Sequence, residues 1–416
     1  MANELLVIGD MANEAEISLT NSLGFTKTVN RSYDDRFART GAKIGSVANV
    51  RLPAQFKFST GLDIDVQSLN DASRPVVLNT NYQRSWSLDR SEAYLSIDDM
   101  ASRYIRPAML SMAAQIDSDG RALANRFTAN TAGTPGSTYS SKDGYADLLI
   151  EARERIVENL GPTDEAFNMV AGPKFVGDGF KFFGLTTFNP ALTQGDAVTK
   201  GKIGGYDIAG FKVMEQQNLA TYSTGVYSGA GAVNGANQSG GTLNTNTWGA
   251  PTTLNVGAVF TIAGVNSVNE QTKMDTGVLQ EFVVTAKNAA GAVQALSIEP
   301  AIVGPGEQRQ NVASLPGAGA LITVSGATAL VGQKFALGYH KLAFTFANAD
   351  YTGAEGDPTG AIDAGTAQQR IMLDDMGLSM TMTSQFDIRS NKILVRCDLL
   401  GGWAPIYPQL AVKAFY

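Results

Sequence analysis

The most constraining feature of the sequence is a charge-free stretch from Gln216 to Asn269, which contains no Asp, Glu, Lys, Arg or His. Charged residues make up 17% of the whole chain, so this stretch differs sharply from its surroundings. Its first half, Tyr222 to Trp248, is rich in Gly, Ala, Ser, Thr and Asn, which predicts an excursion that cannot bury an ordinary core. Its second half, Leu254 to Val268, is typical of strands. The pattern predicts a globular body interrupted by an inserted module.

Length and charge limit the class of protein. A chain of 416 residues exceeds the usual size of a single core, so two or three domains are expected. The net charge is −7, and no block of Lys and Arg is present that would neutralise phosphates, which disfavours tight nucleic-acid binding. The longest early apolar run, Leu5 to Ile8, is too short for a signal segment or a membrane span. We therefore expect a soluble, cytoplasmic chain.

Residues suited to catalysis or metal binding are scarce. Cys397 and His340 are the only members of their types, which excludes an internal disulfide and a four-ligand Cys/His zinc site. We interpret Cys397 as a buried strand residue and His340 as a satisfied interior or interface imidazole. Asp117 and Asp119 resemble the start of a calcium loop, but Thr128 replaces the required acid, so we interpret both as helix-surface acids. The sequence predicts no catalytic, cofactor-binding or metal-binding residue.

Hydrophobic periodicity predicts an α+β body. Residues 54–90 have the alternation of a long hairpin, which needs a partner surface because an isolated two-stranded ribbon is marginal in water. Pro107 and Gly120 should bend or divide a long helix between about Asp98 and Asn130. The other helices are expected over residues 10–23, 145–160 and 173–183, and strands over residues 166–171, 335–346, 378–382, 393–399 and 410–415.

The inserted module has a different pattern from the body. Strands with Gly and Asn at their turns are expected over residues 259–265, 279–286, 293–298 and 320–324, and residues 288–291 have the composition of a hairpin turn. A small all-β domain over residues 250–331 follows from this pattern.

Four stretches of the sequence resemble a known family. They are FTKTVNRSYDDRFARTGAKIGSVANVRLP, SWSLDRSEAYLSIDDMASRYIRPAM, FTIAGVNSVNEQTKMDTGVLQEFVVTA and DIRSNKILVRCDLLGGWAPIYPQLAV. With the order of predicted elements, they resemble major capsid proteins of tailed bacteriophages over essentially the whole chain. The chain is most similar to coat proteins of the phage P-twenty-two type, which have the Hong Kong-ninety-seven shell fold and an inserted domain.

The resemblance implies a division of the chain into functional segments. These are an N-arm (1–50), an E-loop (51–95), a spine helix (96–132), the first part of the peripheral domain (133–201), the axial domain and linker (202–249), the inserted β domain (250–331) and the returning strands of the axial and peripheral domains (332–416). Family members can use charged residues in the inserted domain to bridge capsomers, whereas residues 222–248 here have none. Deletion of Gly229 to Asn246 is therefore expected to leave the monomer fold intact and to weaken shells.

The resemblance also implies a structural function without catalysis. The chain is expected to self-assemble into hexamers and pentamers of an icosahedral shell that encloses double-stranded DNA without sequence-specific binding. Assembly would occur in the host cytoplasm with a scaffolding protein and a portal protein, and a decoration protein stays open as a further partner. No membrane or cofactor is expected. The expected inter-subunit contacts involve Tyr33, Arg36 and Phe37 of the N-arm and Arg74, Arg84, Trp86 and Arg90 of the E-loop.

Two other classes of function stay open from the residues alone. The abundance of Gly, Ala, Thr and Asn is compatible with a surface-layer or fibre-like structural protein, which would form sheets or filaments and carry export signals. A cytoplasmic enzyme that uses main-chain and carboxylate groups is the third hypothesis. Closed shells in negative-stain images would favour the capsid protein over both.

Overall fold

The computed structural model describes residues 8–31, 45–53, 55–56, 72–89, 101–137, 141–163, 165–179, 181, 207–287, 289–349, 366–373 and 378–416. The chain divides into two compact units. The first is drawn from Met1–Val50, Ser73–Gly120 and Phe344–Ile406, and the second from Arg51–Ala72, Arg121–Ala343 and Tyr407–Tyr416.

The described helices are α1 (Ile8–Ser22), α2 (Phe25–Thr28), α3 (Arg106–Phe127), α4 (Lys142–Glu158) and α5 (Pro173–Gly179). A π-helical turn, Ala101–Ile105, precedes α3, and a 3-10 turn covers Pro408–Leu410. The strands of the first half are β1 (Val47–Arg51), β2 (Ser73–Val77), β3 (Thr80–Asp89), β4 (Thr131–Ala132), β5 (Phe167–Ala171), β6 (Asp207–Ile208), β7 (Phe211–Glu215), β8 (Thr221–Tyr222), β9 (Gly225–Ser228), β10 (Gly231–Val233) and β11 (Gly240–Asn246). The later strands are β12 (Gly249–Leu254), β13 (Val259–Val268), β14 (Asp275–Val284), β15 (Gln294–Ile302), β16 (Leu321–Val324), β17 (Gln333–Tyr339), β18 (Phe344–Ala349), β19 (Thr366–Leu373), β20 (Leu378–Asp387), β21 (Lys392–Pro405) and β22 (Ala411–Phe415).

The first unit is built on an antiparallel sheet around the long strand β21. The strand order is β18-β21-β20-β19, and β3 also pairs with β21. Because successive side chains of a strand point to opposite faces, Val395, Cys397 and Leu399 share one face, and all three are buried. The prediction that Cys397 is a buried strand residue is confirmed.

Helix α3 follows the π-helical turn without a break. Pro107 lies directly after the change from π to α geometry, so the predicted irregularity at this proline coincides with a change in the helical hydrogen-bond pattern. Gly120 lies inside the helix without interrupting it. A Cβ on Gly120 would lie 2.5 Å from the Trp403 ring, so glycine serves the close approach of this ring. The alternative prediction of two helices divided at Gly120 is therefore wrong.

The second unit contains a mixed sheet covered on one face by α4. Its order is β4-β22-β17-β5-β7-β6, with β8 also paired to β17. Helix α4 begins after Ser141, whose Oγ accepts a hydrogen bond from the backbone N–H of Gly144 at 3.2 Å. Its apolar stripe, which includes Tyr145, Leu149 and Ile156, is buried in the core of this sheet. The predicted helix over 145–160 is confirmed.

A closed six-stranded barrel follows in the same unit, with the order β10-β11-β15-β14-β13-β16. The four strands predicted for the inserted module are present as β13, β14, β15 and β16. The other two, β10 and β11, come from the charge-free excursion, and Val233, Leu243 and Trp248 are buried in the barrel core. The interpretation of residues 222–248 as a segment without a core is therefore wrong, and the barrel begins before residue 250. A few alternating apolar side chains suffice because barrel closure pairs the backbone around them.

The predicted hairpin over residues 54–90 also differs from the described structure. Instead of one long return strand, β2 and β3 are separate strands, and β3 pairs with β21. The backbone N–H of Leu52 donates to the carbonyl oxygen of Ala72 at 2.8 Å, which closes the base of the intervening loop. The predicted strand over 335–346 is likewise divided, because β17 ends at Tyr339 and β18 begins at Phe344.

Candidate functional site

The predicted subunit contacts are only partly within the described residues. Arg74 lies half-buried in β2, and Arg84 and Trp86 lie half-buried in β3. The other four residues lie outside the described ranges; they are Tyr33, Arg36, Phe37 and Arg90. The role of all seven in subunit contacts stays a prediction.

Arg84 has hydrogen-bond partners within its own chain. Its Nε donates to Ser111 Oγ at 2.8 Å, and its Nη1 donates to the carbonyl oxygen of Gln83 at 2.9 Å. Ser111 belongs to α3, so Arg84 links β3 to this helix. Trp86 lies two residues along the same face of the strand. Its Nε1 is buried and has no hydrogen-bond acceptor among the described residues.

β3 is an edge strand of its sheet. It pairs antiparallel with β21 from Thr80 opposite Gly401 to Asp89 opposite Lys392, and it pairs with no other described strand. The unpaired N–H and C=O groups of an edge strand can add a strand from a second chain. The edge of β3 is therefore a candidate contact surface.

A buried carboxylate fixes the segment that follows α1. Asp117 of α3 is 3% exposed. Its Oδ2 accepts from the backbone N–H groups of Gly24 at 2.9 Å and Phe25 at 3.1 Å, and its Oδ1 accepts from the N–H and hydroxyl of Thr26 at 3.0 and 2.6 Å. These donors lie at the start of α2, so Asp117 caps this short helix from another element. The interpretation of Asp117 as a helix-surface acid is wrong.

Aromatic rings complete the attachment of α2. The Phe25 ring stacks on Trp403 with centroids 5.3 Å apart and lies 6.2 Å from Phe344. The Phe346 ring also packs against Trp403, with centroids 4.9 Å apart. Burial of these large side chains stabilises the packing by about 1.5–3 kcal/mol each. The N-terminal segment is thus anchored by both a carboxylate and an aromatic cluster.

In the second unit, a buried lysine lies where the barrel meets the mixed sheet. Lys413 of β22 is fully buried, and its Nζ donates to the carbonyl oxygen of Gly257 at 2.9 Å. The same Nζ lies 5.5 Å from the centre of the Tyr222 ring. The Tyr222 hydroxyl donates to the carbonyl of Ser325 at 2.6 Å and accepts from the backbone N–H of Val259 at 3.2 Å. These contacts join β22 and β8 to the end of the barrel.

A buried glutamate makes a second connection at the same place. Glu281 of β14 accepts from the backbone N–H of Thr131 at 2.7 Å and from its hydroxyl at 2.5 Å. We call Lys413, Tyr222, Gly257 and Glu281 the barrel junction. A polar junction is costly to bury unless its groups are hydrogen-bonded, and here each bond crosses from the sheet to the barrel.

Burial shifts the pKa values of the junction in opposite directions. Desolvation lowers the pKa of Lys413 to about 7, although the carboxylate of Glu281 acts against this shift. Desolvation raises the pKa of Glu281, while the hydrogen bonds from Thr131 and the charge of Arg155 lower it. Burial also raises the pKa of Tyr222. The junction therefore contains three groups whose neutral forms are favoured by burial: Lys413, Glu281 and Tyr222.

Comparison with known families decides the class of the protein. Residues 193–415, more than half of the chain, match the family described as "P22 coat protein - gene protein 5". The chain belongs to this coat protein family. The matched range includes the whole barrel, the closing strands and all four residues of the barrel junction. No curated protein sequence matches the chain.

Membership of the coat protein family gives the function. The coat protein is a tailed-phage major capsid protein, a structural subunit of an icosahedral shell, and a component of the virion. It is not an enzyme, and it associates with copies of itself.

Solved capsid structures are similar to the coat protein at a distance. A chain from Mycobacterium phage Che8 has 12% identity and a TM-score of 0.47, covering 94% of this chain and 90% of that chain. A chain from the capsid of Ralstonia phage GP4 has 8% identity and a TM-score of 0.42, covering 94% and 89%. A chain from the capsid of cyanophage P-SCSP1u has 10% identity and a TM-score of 0.40, covering 91% and 85%. The family assignment rests on the sequence match.

The side chains that could carry other chemistry have structural surroundings in the coat protein. Desolvation raises the pKa of the Cys397 thiol to about 12, which disfavours the reactive thiolate. His340 is 3% exposed, and its Nδ1 accepts from the backbone N–H of Leu342 at 3.3 Å, which confirms the interior imidazole. The described residues contain no cluster of three His, Cys, Asp or Glu side chains suited to a metal. Nor is any described helix long and apolar enough to cross a membrane.

Sequence reasoning missed two buried charged groups of the coat protein, Asp117 and Lys413. A signal for Asp117 was present, because it lies four residues after Ala113 and next to Ile116 on the buried stripe of α3. A signal for Lys413 was also present, because it alternates with apolar residues in a strand whose two faces are both apolar in sequence. Neither pattern reveals the partner of the charge.

Proposed function

We propose that this coat protein forms the hexamers and pentamers of its shell through two extensions from a Hong Kong-ninety-seven-type body. The N-arm (1–50) and the E-loop (51–95) reach neighbouring subunits. The spine helix (96–132) and the peripheral and axial segments (133–201, 202–249 and 332–416) form the body. The barrel is the inserted domain, with its first strand at β10. Family membership supports this division.

The closed base of the E-loop is the observation that carries the proposal. The backbone bond from Leu52 to Ala72 joins the two ends of the loop, and both ends continue into paired strands. A loop with a fixed base reaches a neighbour with a smaller loss of conformational entropy than a free tail. This geometry suits a segment that lies across an adjacent subunit.

Trp86 and Arg84 supply chemistry for such a contact beside the loop. The Trp86 side chain is half-buried, so the exposed part of its ring can pack against a neighbouring subunit. Arg74 and Arg90 add charged groups on the same segment of chain. Individually modest contacts, repeated around a closed shell, give a stable assembly while allowing misplaced subunits to dissociate.

The proposed partners follow from the same assignment. A scaffolding protein assists assembly, a portal protein occupies one vertex, and a decoration protein is a further candidate. The enclosed double-stranded DNA is contained without sequence-specific contacts. The net charge of −7 suits containment because it disfavours tight adhesion to phosphate groups.

Expression with the cognate scaffolding protein, followed by negative-stain imaging, tests the proposal. Closed shells of uniform size are expected from the wild-type chain. Trp86→Ala should reduce the yield of shells while the monomer keeps its fold. Tyr227→Phe, which changes an aromatic residue of β9 that packs against the barrel core, is the control. The proposed contacts would be contradicted if the wild-type chain stayed monomeric in the presence of the scaffolding protein. They would also be contradicted if Trp86→Ala left the yield of shells unchanged.

A further inference from the structure

The barrel also holds the chain at the start of the E-loop. The carbonyl oxygen of Pro53 accepts from Arg309 Nη2 at 2.8 Å. The amide of Gln55 is held on both sides, since its Nε2 lies 3.4 Å from Glu270 Oε2 and its Oε1 lies 3.4 Å from Lys273 Nζ. Lys273 Nζ also donates to the carbonyl of Gln310 at 3.3 Å. We call Glu270, Lys273, Arg309 and Gln310 the loop cradle.

The turn between β13 and β14 shapes one wall of the loop cradle. Asn269 Oδ1 accepts from the backbone N–H groups of Gln271 at 2.9 Å and Thr272 at 3.1 Å. The backbone N–H of Lys273 donates to the carbonyl of Asn269 at 2.8 Å, and Lys273 itself has a φ of 57°. A left-handed lysine is uncommon, and the surrounding hydrogen bonds hold it there. The turn therefore presents Glu270 and Lys273 in a fixed arrangement.

The segment that carries Arg309 and Gln310 forms the other wall and is tied to the same strand. Ser267 of β13 forms an isolated bridge with Val312, and the backbone N–H of Ala313 donates to the carbonyl of Asn266 at 2.8 Å. Both walls therefore belong to the barrel. A change in the position of the barrel strands would move both together.

The charges of the loop cradle are partly removed from water. Burial raises the pKa of Glu270, and the positive charges of Lys273 and Arg309 act in the opposite direction. Burial lowers the pKa of Lys273, against the attraction of Glu270. Arg309 Nε is buried and finds no acceptor among the described residues. Desolvating three charged side chains is unfavourable, and such groups can select one geometry of the bound segment.

We propose that the loop cradle is a positioning site, through which the inserted barrel sets the direction of the E-loop for contact with a neighbouring subunit. The inference rests on the proposed function of the E-loop. The occupant is the chain's own segment that contains Pro53 and Gln55, which offers a carbonyl oxygen and a side-chain amide to the cradle. Phe56, which follows immediately, is 62% exposed. The cradle thus holds the polar root of the loop and leaves an aromatic side chain available beyond it.

Limited proteolysis of the monomer tests the positioning directly. Lys57 follows the held segment in sequence and offers a trypsin site. In Arg309→Ala combined with Lys273→Ala, cleavage after Lys57 should accelerate about fivefold or more, because the rate follows the population of the released segment. Arg309→Lys should restore most of the protection, since a cation remains to donate to the Pro53 carbonyl. Arg389→Ala, at an exposed turn of the first unit, is the control and should leave the rate unchanged.

Assembly kinetics separate positioning from simple stability. Hydrogen exchange of the barrel strands should be the same in the double variant and the wild type, while shells assemble more slowly with scaffold. Unchanged cleavage after Lys57 in a folded double variant would overturn the inference, as would faster cleavage with normal assembly. If the wild type forms no shells, the proposed function is wrong. The positioning role of the loop cradle is tested separately, because unchanged protection of Lys57 from trypsin in the double variant would reject it whether or not shells form.

Discussion

Two buried charges, Asp117 in the first unit and Lys413 in the second, are satisfied in contrasting ways. Asp117 receives four hydrogen bonds, three from backbone N–H groups and one from a hydroxyl. Among the described residues, the Nζ of Lys413 makes one hydrogen bond, to a single carbonyl oxygen, and lies near an aromatic ring. The start of a helix offers several fixed donors, whereas a strand beside a barrel offers few acceptors. The Asp117 carboxylate therefore holds the residues around it in place, whereas the Lys413 ammonium group contributes little to the positions of its neighbours.

Opening the barrel should cause the largest loss of stability. The loss should be confined to the second unit, which contains Lys413. Deletion of Gly229 to Asn246 removes β10 and β11, two of the six barrel strands, and exposes the barrel core. Hydrogen exchange should show loss of protection in β13 to β16 and retained protection in β20 and β21. Gln238→Ala, which removes the hydrogen bonds of this side chain to Asn234, Gly235 and Asn244 but leaves both strands in the chain, serves as the control. A barrel that kept its protection after the deletion would restore the earlier expectation of an intact monomer.

Asp117→Asn should have the next largest effect, because it removes the acceptor around which four donors converge. An amide nitrogen would face the backbone N–H groups of Gly24 and Phe25, and unpaired buried donors each cost about 1–3 kcal/mol. We expect the free energy of unfolding to fall by about 3 kcal/mol or more in urea titrations. Asp387→Asn is a matched control, since Asp387 also accepts from a backbone N–H and a hydroxyl but is exposed to water. If the free energy of unfolding fell equally in the two variants, burial would not be the reason for the effect at Asp117.

Lys413→Met should change the pH dependence of the free energy of unfolding more than it changes that free energy at neutral pH. The folded-state pKa of Lys413 is about 7, below the ordinary 10.5, so between these values the unfolded chain binds more protons. Stability should therefore rise with pH across this window, by up to about 1.4 kcal/mol per pH unit, and should not change below it on account of this group. The difference between the wild type and Lys413→Met in urea titrations from pH 6 to about 10 isolates this contribution. Parallel pH profiles would show that Lys413 keeps an ordinary pKa in the folded protein.

The elements with strong periodicity were predictable from the sequence, and the closure of the barrel was not. Helix α4 and the four later barrel strands carry continuous apolar patterns, and they were predicted at nearly the observed positions. β10 and β11 carry few apolar residues, and their stability depends on β16 and β15, strands that lie far away in sequence. Local composition favoured a loop because the long-range pairing that overrides it is invisible in a window of residues.

The partners of buried charges were likewise beyond local patterns. The periodicity of α3 places Asp117 on a buried stripe, but its donors come from residues 24–26, more than ninety residues away in sequence. The alternation of β22 places Lys413 inside, but Gly257 belongs to a barrel turn. The sequence resemblance identified the capsid family through segments of extended similarity. It could not identify these contacts, because a contact is a property of a pair of residues and the four stretches include neither Asp117 nor Lys413.

Glu281→Gln should give the smallest effect and the sharpest test of the junction. The amide keeps one acceptor for Thr131 and has no charge to desolvate, so we expect a loss of only about 1 kcal/mol at neutral pH. Glu281 is also the carboxylate that raises the pKa of Lys413, so its removal should lower that pKa further. The lower limit of the pH window in which stability rises should therefore shift to more acidic values in urea titrations. Glu299→Gln, on the neighbouring strand β15, is the matched change. If the pH range in which stability rises moved toward alkaline values, Glu281 would not interact favourably with Lys413. The ring of Tyr222 and the carbonyl of Gly257 would then be the groups that stabilise the charged lysine.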